Sequence, residues 1–409
     1  MTTHTERTYY LVYALYCASW AFLTPAYPLF LLSRGLDLFE INVVFAVYLI
    51  GAFLFEVPTG AVADVVGRKV SFLLSCGIRS VAFIMYWYAD GFLDCVVAEF
   101  VDALGTTLAT GALDAWAVDG MRDEGSQRPA DRVFARAFMY ASPVMIVTGV
   151  VGGYLFDINP GLPWPCGAVC FATAGVTGLL LMREERRPAR PAQGILRSWV
   201  ATTRNGFATV RQAPVLLVLC LLTAAVSFAV MPAWHYWPAR LQALSGTGTW
   251  LLGWVWALIA LSGMAGNALM PRLVPRFRRE PVLAIANMWR GSMLVLGALS
   301  SDFLFAALAV LCLQLVFGLS EPALQGWMNE HVGSEVRATV LSVRSMAFTL
   351  GGGAGLVCLG LLARSNGIPT AWLTAGVLVI LAAPGFFLLA LAAPARAAPP
   401  DRPLASPTP

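Results

Sequence analysis

Hydrophobic residues run along this chain in blocks of roughly 20, separated by short polar breaks, and about 20 helical residues is the length that crosses a hydrocarbon core of about 30 Å. Twelve such blocks are predicted as membrane spans, at 9–32, 41–62, 70–89, 94–117, 134–156, 164–182, 214–237, 249–270, 281–300, 303–326, 338–362 and 370–393. The first block follows the polar stretch MTTHTER and has no small-residue cleavage site before the second. It is therefore read as a span and not as a cleavable signal. The predicted fold class is an all-α integral membrane protein.

The polar breaks are unequal, and the longest, residues 183–213, falls between the sixth and seventh blocks. It divides the chain into an expected first six-helix bundle (1–182), a central linker (183–213), a second bundle (214–393) and a disordered tail (394–409). Internal similarity supports the division. A shift of 211 positions lays GALDAWAVD (Gly111 to Asp119) over PALQGWMNE (Pro322 to Glu330), Arg68 over Arg279 and Arg79 over Arg290. A shift of 208 lays Ser19-Trp20-Ala21 over Ser227-Phe228-Ala229 and Arg136 over Arg344. Two duplicated and diverged halves are the economical explanation.

Composition agrees with the pattern: 58% of the 409 residues are hydrophobic and 12% are charged, about half the charged share of a soluble domain. Basic residues crowd alternate breaks: Arg68 and Lys69, then Arg122, Arg128 and Arg132, then the run from Arg183 to Arg211, then Arg272 to Arg279. The other breaks hold Arg34, Arg240 and Arg364. Cytoplasmic loops carry the Lys and Arg excess, so both termini are expected in the cytoplasm of a multi-pass cell-membrane protein. The net charge of +4 and the run REERRPARP, which directly follows a span, point to lipid headgroups and not to nucleic acid. The eight cysteines lie in or beside apolar blocks without metal-ligand spacing and are read as packing residues.

Between the second and third blocks stands GAVADVVGRK, Gly60 to Lys69. It resembles the signature loop of the major facilitator superfamily, G-x-x-x-D-x-x-G-R-K/R, carried here by Gly60, Asp64, Gly67, Arg68 and Lys69. The resemblance implies two pseudo-symmetric six-helix bundles around a central cavity lined by spans 1, 4, 7 and 10. It also implies an inner gate in which Arg68 meets Asp119 and Asp64 approaches the start of span 11 near Arg337 to Leu341. Gly60 is expected to let two helices approach closely and Gly67 to permit a turn. In the second half Arg279 and Glu330 are separated by 51 positions, as Arg68 and Asp119 are, and form a second expected latch. The segments EVPTGAVADVVGRK and TGALDAWAVD also resemble bacterial facilitators of the tetracycline-resistance-like or multidrug efflux type. The stretch Thr148 to Gly153 keeps the terminal glycine pair of that branch's fifth-helix pattern G-P-x-x-G-G but not its proline, and AEFVDALG offers Glu99 and Asp102 where the branch carries an Arg.

Charges inside spans are costly and persist where they are paired or functional. Glu56, Arg79, Asp102, Asp114, Arg290 and Glu321 qualify. Depth along the helices suggests that Glu56 pairs with Arg79 and Arg290 with Glu321, each at roughly 12 to 16 Å from the loop ends. Glu321 precedes Pro322 on a cavity-lining helix and is the first candidate for proton handling, with Asp102 and Asp114 as further candidates. Tyr13, Tyr16 and Trp20, with Trp234 and His235, are candidates for the substrate cavity. Tyr86 to Tyr88 and much of Trp234 to Trp237 read as interface belt.

The chain shows no zinc motif, P-loop or nucleophile elbow, so neither an enzyme nor a nucleotide-driven pump is expected. The expected function is proton-coupled efflux of a small apolar or amphipathic compound. A proton-coupled nutrient symporter is the alternative, and a transport-inactive sensor or scaffold a remote one. No cofactor is expected beyond an ion gradient, and the expected partners are a small-molecule substrate and the bilayer, with the monomer sufficient for function.

Overall fold

The computed structural model describes residues 3–183, 213–273, 277–332 and 334–392. The expected linker (apart from its two end residues) and tail lie outside the described residues. Among the described residues the regular structure is entirely helical.

Among the described residues nine helices are long and apolar enough to cross a membrane, and the arrangement of the chain accounts for the other three expected spans. Span 1 is broken into His4–Ala21 and Tyr27–Ser33, and span 4 into Phe92–Ala109 and Ala112–Asp123, so neither forms one long apolar helix. Spans 11 and 12 are joined in the continuous run Ser334–Ala382, which turns at Gly367 (φ 83°) and ends with Gly385–Ala392. The remaining spans are Leu38–Val66, Arg68–Tyr88, Ala130–Ile158, Pro163–Leu181, Pro214–Ser245, Trp250–Leu273, Arg279–Leu299 and Phe303–His331. In the order of the chain these are spans 2, 3 and 5 to 10.

Both breaks follow from local sequence. In span 1 the turn over residues 22–26 contains Pro25, which has no N–H to continue the helical ladder. In span 4 the break falls at Thr110 and Gly111, whose φ of 75° suits glycine alone among common residues. Discontinuous helices inside a membrane expose backbone groups that only a polar cavity or a packed neighbour can satisfy.

Spans 1 and 3 to 6 pack together with span 2 in one bundle, and spans 7 to 12 in the other. The halves meet chiefly where span 2 crosses span 11 and span 5 crosses span 8. On span 5, a Cβ at Gly152 would overlap the carbonyl oxygen of Phe22 in the span 1 break, and one at Gly153 would lie 3.0 Å from Thr249 O on span 8. The glycine pair noted in the sequence therefore sits on a close seam between backbones.

Candidate transport site

The two breaks face a common space between the bundles. A cavity of about 660 Å³ is lined by Leu23, Thr24 and Tyr27 around the span 1 break and by Thr110 and Gly111 at the span 4 break. Such a volume suits a drug-sized or metabolite-sized ligand. Tyr13, Tyr16 and Trp20 line it from span 1, Trp164 from span 6, and Trp234 and His235 from span 7. All five aromatic candidates from the sequence thus reach one cavity.

Its wall holds a buried charge network. Arg79 donates through Nε and Nη2 to the two oxygens of Asp102, at 2.8 and 2.9 Å, and through Nη1 to the Tyr16 hydroxyl at 2.9 Å. The guanidinium also lies over the Phe171 ring, 4.4 Å from its centroid. Both charged side chains are less than a tenth exposed, and the forked geometry is what a desolvated pair requires. One turn away, Glu99 accepts hydrogen bonds from Tyr27 (2.8 Å) and Tyr86 (2.7 Å) and makes no ion pair among the described residues. Trp164 stacks on Tyr86 at 3.9 Å and covers this group. Asp114, at the start of the inner piece of span 4, accepts from Tyr9 at 2.7 Å.

The expected Glu56–Arg79 pair is not formed. Glu56 is exposed on span 2, and Arg79 turns to span 4, because equal depth along two helices says nothing about which faces meet. The expected Arg290–Glu321 pair is also absent: Arg290 donates to Ser320 Oγ (2.9 Å) and Asn287 Oδ1 (3.3 Å), while Glu321 pairs with Arg344 of span 11 at 3.4 Å. These groups line a second chamber of about 300 Å³, which shares Met231 and Trp234 with the main cavity. The belt reading fails for three residues, while Tyr88 is exposed at the end of its helix. Tyr86 is fully buried, and Tyr236 and Trp237 are buried because span 7 continues to Ser245, two turns beyond its expected end.

The loop face, where Gly60 to Lys69 lies, differs from the opposite face. Arg68 meets Asp119 and also donates to Ala115 O at 2.7 Å. Lys69 donates to the carbonyls of Leu179 (2.9 Å) and Met182 (2.6 Å). Arg279 meets Glu330 at 2.9 Å. These contacts stay within their own bundles. Asp64 is exposed, and Arg337, its expected neighbour, is turned back onto the carbonyls of Asn329 and Val332, so the inter-bundle part of the expected gate is not joined. A Cβ at Gly60 would meet nothing within 4 Å, against the close approach expected there, whereas Gly67 has the positive φ of 99° its turn requires.

At the opposite face the halves are locked together. Arg364 pairs with Asp37 at 3.1 Å, Asn42 donates to the Tyr236 hydroxyl, His235 stacks on Phe45 at 3.9 Å, and Asp157 caps span 8 by accepting from Thr249 N (2.7 Å) and Trp250 N (2.9 Å). Glu99, Arg344, Asn42 and Asp157 were missed as site residues. Glu99 and Arg344 carried a signal, a charge inside an expected span (94–117 and 338–362); Asn42 and Asp157 carried none that distinguishes them from ordinary polar residues.

Two helical bundles around a central cavity, sealed on one face only, define a multi-pass membrane transporter rather than an enzyme. The chain belongs to the Major Facilitator Superfamily, whose profile matches residues 9–287 and 251–408. It is 21% identical over 370 residues to the uncharacterized MFS-type transporter YxaM of Bacillus subtilis, covering 88% of this chain and 89% of that protein. Among solved structures it is similar in fold to the nucleoside transporter NupG (TM-score 0.76, 14% identity, 95% of this chain and 99% of that one). It is likewise similar to the D-xylose-proton symporter (TM-score 0.69, 14% identity, 94% and 97%).

Proposed function

We propose that the chain is a proton-coupled secondary transporter that exports a small apolar or amphipathic compound, a drug or secondary metabolite, by alternating access. With the basic loop face in the cytoplasm, as the positive-inside pattern expects, the seal at the opposite face makes this an inward-facing state ready to take cargo from the cytoplasm. The aromatic wall offers broad stacking surfaces to a flat apolar body. A reporter fused after Pro409 that is active only outside the cell would overturn this orientation.

The observation that carries the coupling is Glu99. A carboxyl group held by hydroxyls can exchange a proton without breaking a salt bridge, because hydroxyls both donate to a carboxylate and accept from the acid. The neighbouring charges on the packed elements, Arg79 and Asp102, satisfy each other. Glu321, paired with Arg344, is the second coupling group, since its protonation would release the arginine. In proteoliposomes with an imposed pH gradient, Glu99→Gln is expected to cut concentrative transport by at least about tenfold, with exchange at equal pH retained. Glu321→Gln is expected to have the smaller effect. Normal accumulation by Glu99→Gln would remove that residue from the mechanism.

A second reading, proton-coupled uptake of a small nutrient, is favoured by the amide and hydroxyl groups of Gln314, Asn287 and Ser320 in the second chamber. Cells with and without the protein separate the two. Equal sensitivity to a broad panel of toxic aromatics, together with proton-dependent uptake of a nutrient, would replace export by symport.

A further inference from the structure

The two buried arginines at equivalent positions differ in what they hold. Arg290 stands 211 residues after Arg79, but the place of Asp102, 23 residues further on in each half, is taken by Leu313. Arg290 is 5% exposed, and burying a guanidinium at that depth is costly unless an anion meets it. Its two acceptors among the described residues, Ser320 and Asn287, are neutral, its Nε–H has none there, and the Phe317 ring lies 5.6 Å from Cζ. The other charges of the chamber, Arg344 and Glu321, offset one another. One uncompensated positive charge therefore remains in a chamber of about 300 Å³ that shares Met231 and Trp234 with the wall of the aromatic cavity.

We propose that this chamber is an anion subsite, in which Arg290 binds the carboxylate or other monoanionic oxyacid group of a cargo whose aromatic body lies along Trp234 and the main cavity. The inference rests on the transport reading above and adds the charge of the substrate to it. A planar guanidinium whose Nε–H has no acceptor among the described residues can present two parallel N–H groups to the two oxygens of one acid. A single excess charge, with Glu321 beside it, suits a monoanion better than a dianion. The first half has no such vacancy, because Asp102 fills it from within.

Full-length protein in lipid nanodiscs, followed by quenching of tryptophan fluorescence, tests the assignment with 2-naphthoate, its neutral analogue 2-naphthamide and the dianionic 2-naphthyl phosphate. Naphthoate is expected to bind about tenfold or more tighter than naphthamide, which corresponds to about 1.4 kcal/mol, and tighter than the phosphate. Arg290→Met should erase the preference and Arg290→Lys should keep part of it. Leu313→Asp supplies the carboxylate that the first half carries, so it should erase the preference while raising the thermal unfolding temperature, which makes the result independent of whether Arg290→Met folds. Equal binding of naphthoate and naphthamide would overturn the subsite and leave the aromatic-cargo reading standing. Binding of neither would overturn both, a preference that survives Leu313→Asp would remove Arg290 from the site, and tighter binding of the phosphate would overturn the monoanion assignment.

Discussion

The two halves of this chain carry the same framework and different chemistry. At equivalent places the first half has Arg79 closed by Asp102 and the second has Arg290 with Leu313 at the position of that aspartate; span 4 breaks at Gly111, whereas span 10 continues through Pro322, its counterpart 211 residues on. A proline in a helix removes one hydrogen bond and bends the axis, but a glycine at positive φ leaves the helical conformation and ends the helix. The consequence is that the first half presents a neutral ion pair and a hydroxyl-held acid, and the second presents an open cation. On the reading proposed above, divergence after duplication left a hydroxyl-held acid for coupling in the first half and an unpaired cation for the cargo in the second.

The largest test of that difference removes each arginine in turn. Arg79→Met leaves Asp102 buried without its partner, a change that costs about 3–5 kcal/mol. Arg290→Met removes a charge that has only neutral partners, so the lost hydrogen bonds are partly offset by the lost desolvation cost, and the net loss should stay below about 1.5 kcal/mol. Thermal unfolding in detergent measures both. Adding Asp102→Leu to Arg79→Met should recover most of the first loss. Equal losses at the two sites would mean that ion pairing is not what separates the halves.

A second comparison concerns glycines. A Cβ at Gly152 of span 5 would overlap Phe22 O on span 1, and one at Gly355 of span 11 would overlap Phe228 O on span 7, whereas Gly60 of the signature loop has open space around it. Gly152→Ala and Gly355→Ala should each destabilise by about 1–3 kcal/mol through forced separation of packed backbones. Gly60→Ala should leave unfolding unchanged or slightly improved. If Gly60→Ala nevertheless slows transport, the glycine serves the state in which the loop face closes. Unchanged stability in Gly152→Ala would show that the seam yields without cost.

The hydrophobic pattern made most of this architecture legible. Span number could be read from block length, and the pairing of Arg68 with Asp119 from what the resemblance of the signature loop implies. The faces of the helices could not. Arg79 and Glu56 were assigned to each other from depth alone, but Arg79 points at span 4, and azimuth within a tightly packed bundle is set by neighbours that sequence distance does not reveal. The same limit hid Arg344, which reaches Glu321 from a different span. Trp237 reads as membrane surface because an apolar block does not show how far its helix continues, whereas Tyr86, near the expected end of its helix, is buried by facing Trp164 and Glu99. Glu99 was passed over because an acid's role here depends on two tyrosines, at positions 27 and 86, that no local pattern connects to it.

The smallest effects concern the paired latches of the loop face. Arg68–Asp119 and Arg279–Glu330 join spans 3 and 4 and spans 9 and 10 in the same way: each arginine lies over residue 115 or its counterpart 326 and reaches the acid four residues further along. Their surroundings differ, since the side chain of Asp119 is 21% exposed and that of Glu330 is 43% exposed. Exposed pairs contribute about 0–1 kcal/mol, and partial exclusion of water strengthens the attraction. A double-mutant cycle with Arg68→Ala and Asp119→Asn should therefore give a coupling near the top of that range, and one with Arg279→Ala and Glu330→Gln a coupling near zero. Both pairs are already formed while Asp64 and Arg337 stand apart, so they are expected to hold each bundle rigid as the halves move, with transport impaired and the protein still folded and inserted. The charge swap, Arg68→Asp with Asp119→Arg, should recover part of the activity lost in either single variant. Losses that simply add, without rescue by the swap, would mean that Arg68 acts through the Ala115 carbonyl and the positive-inside bias, and that the resemblance between the two latches is geometric only.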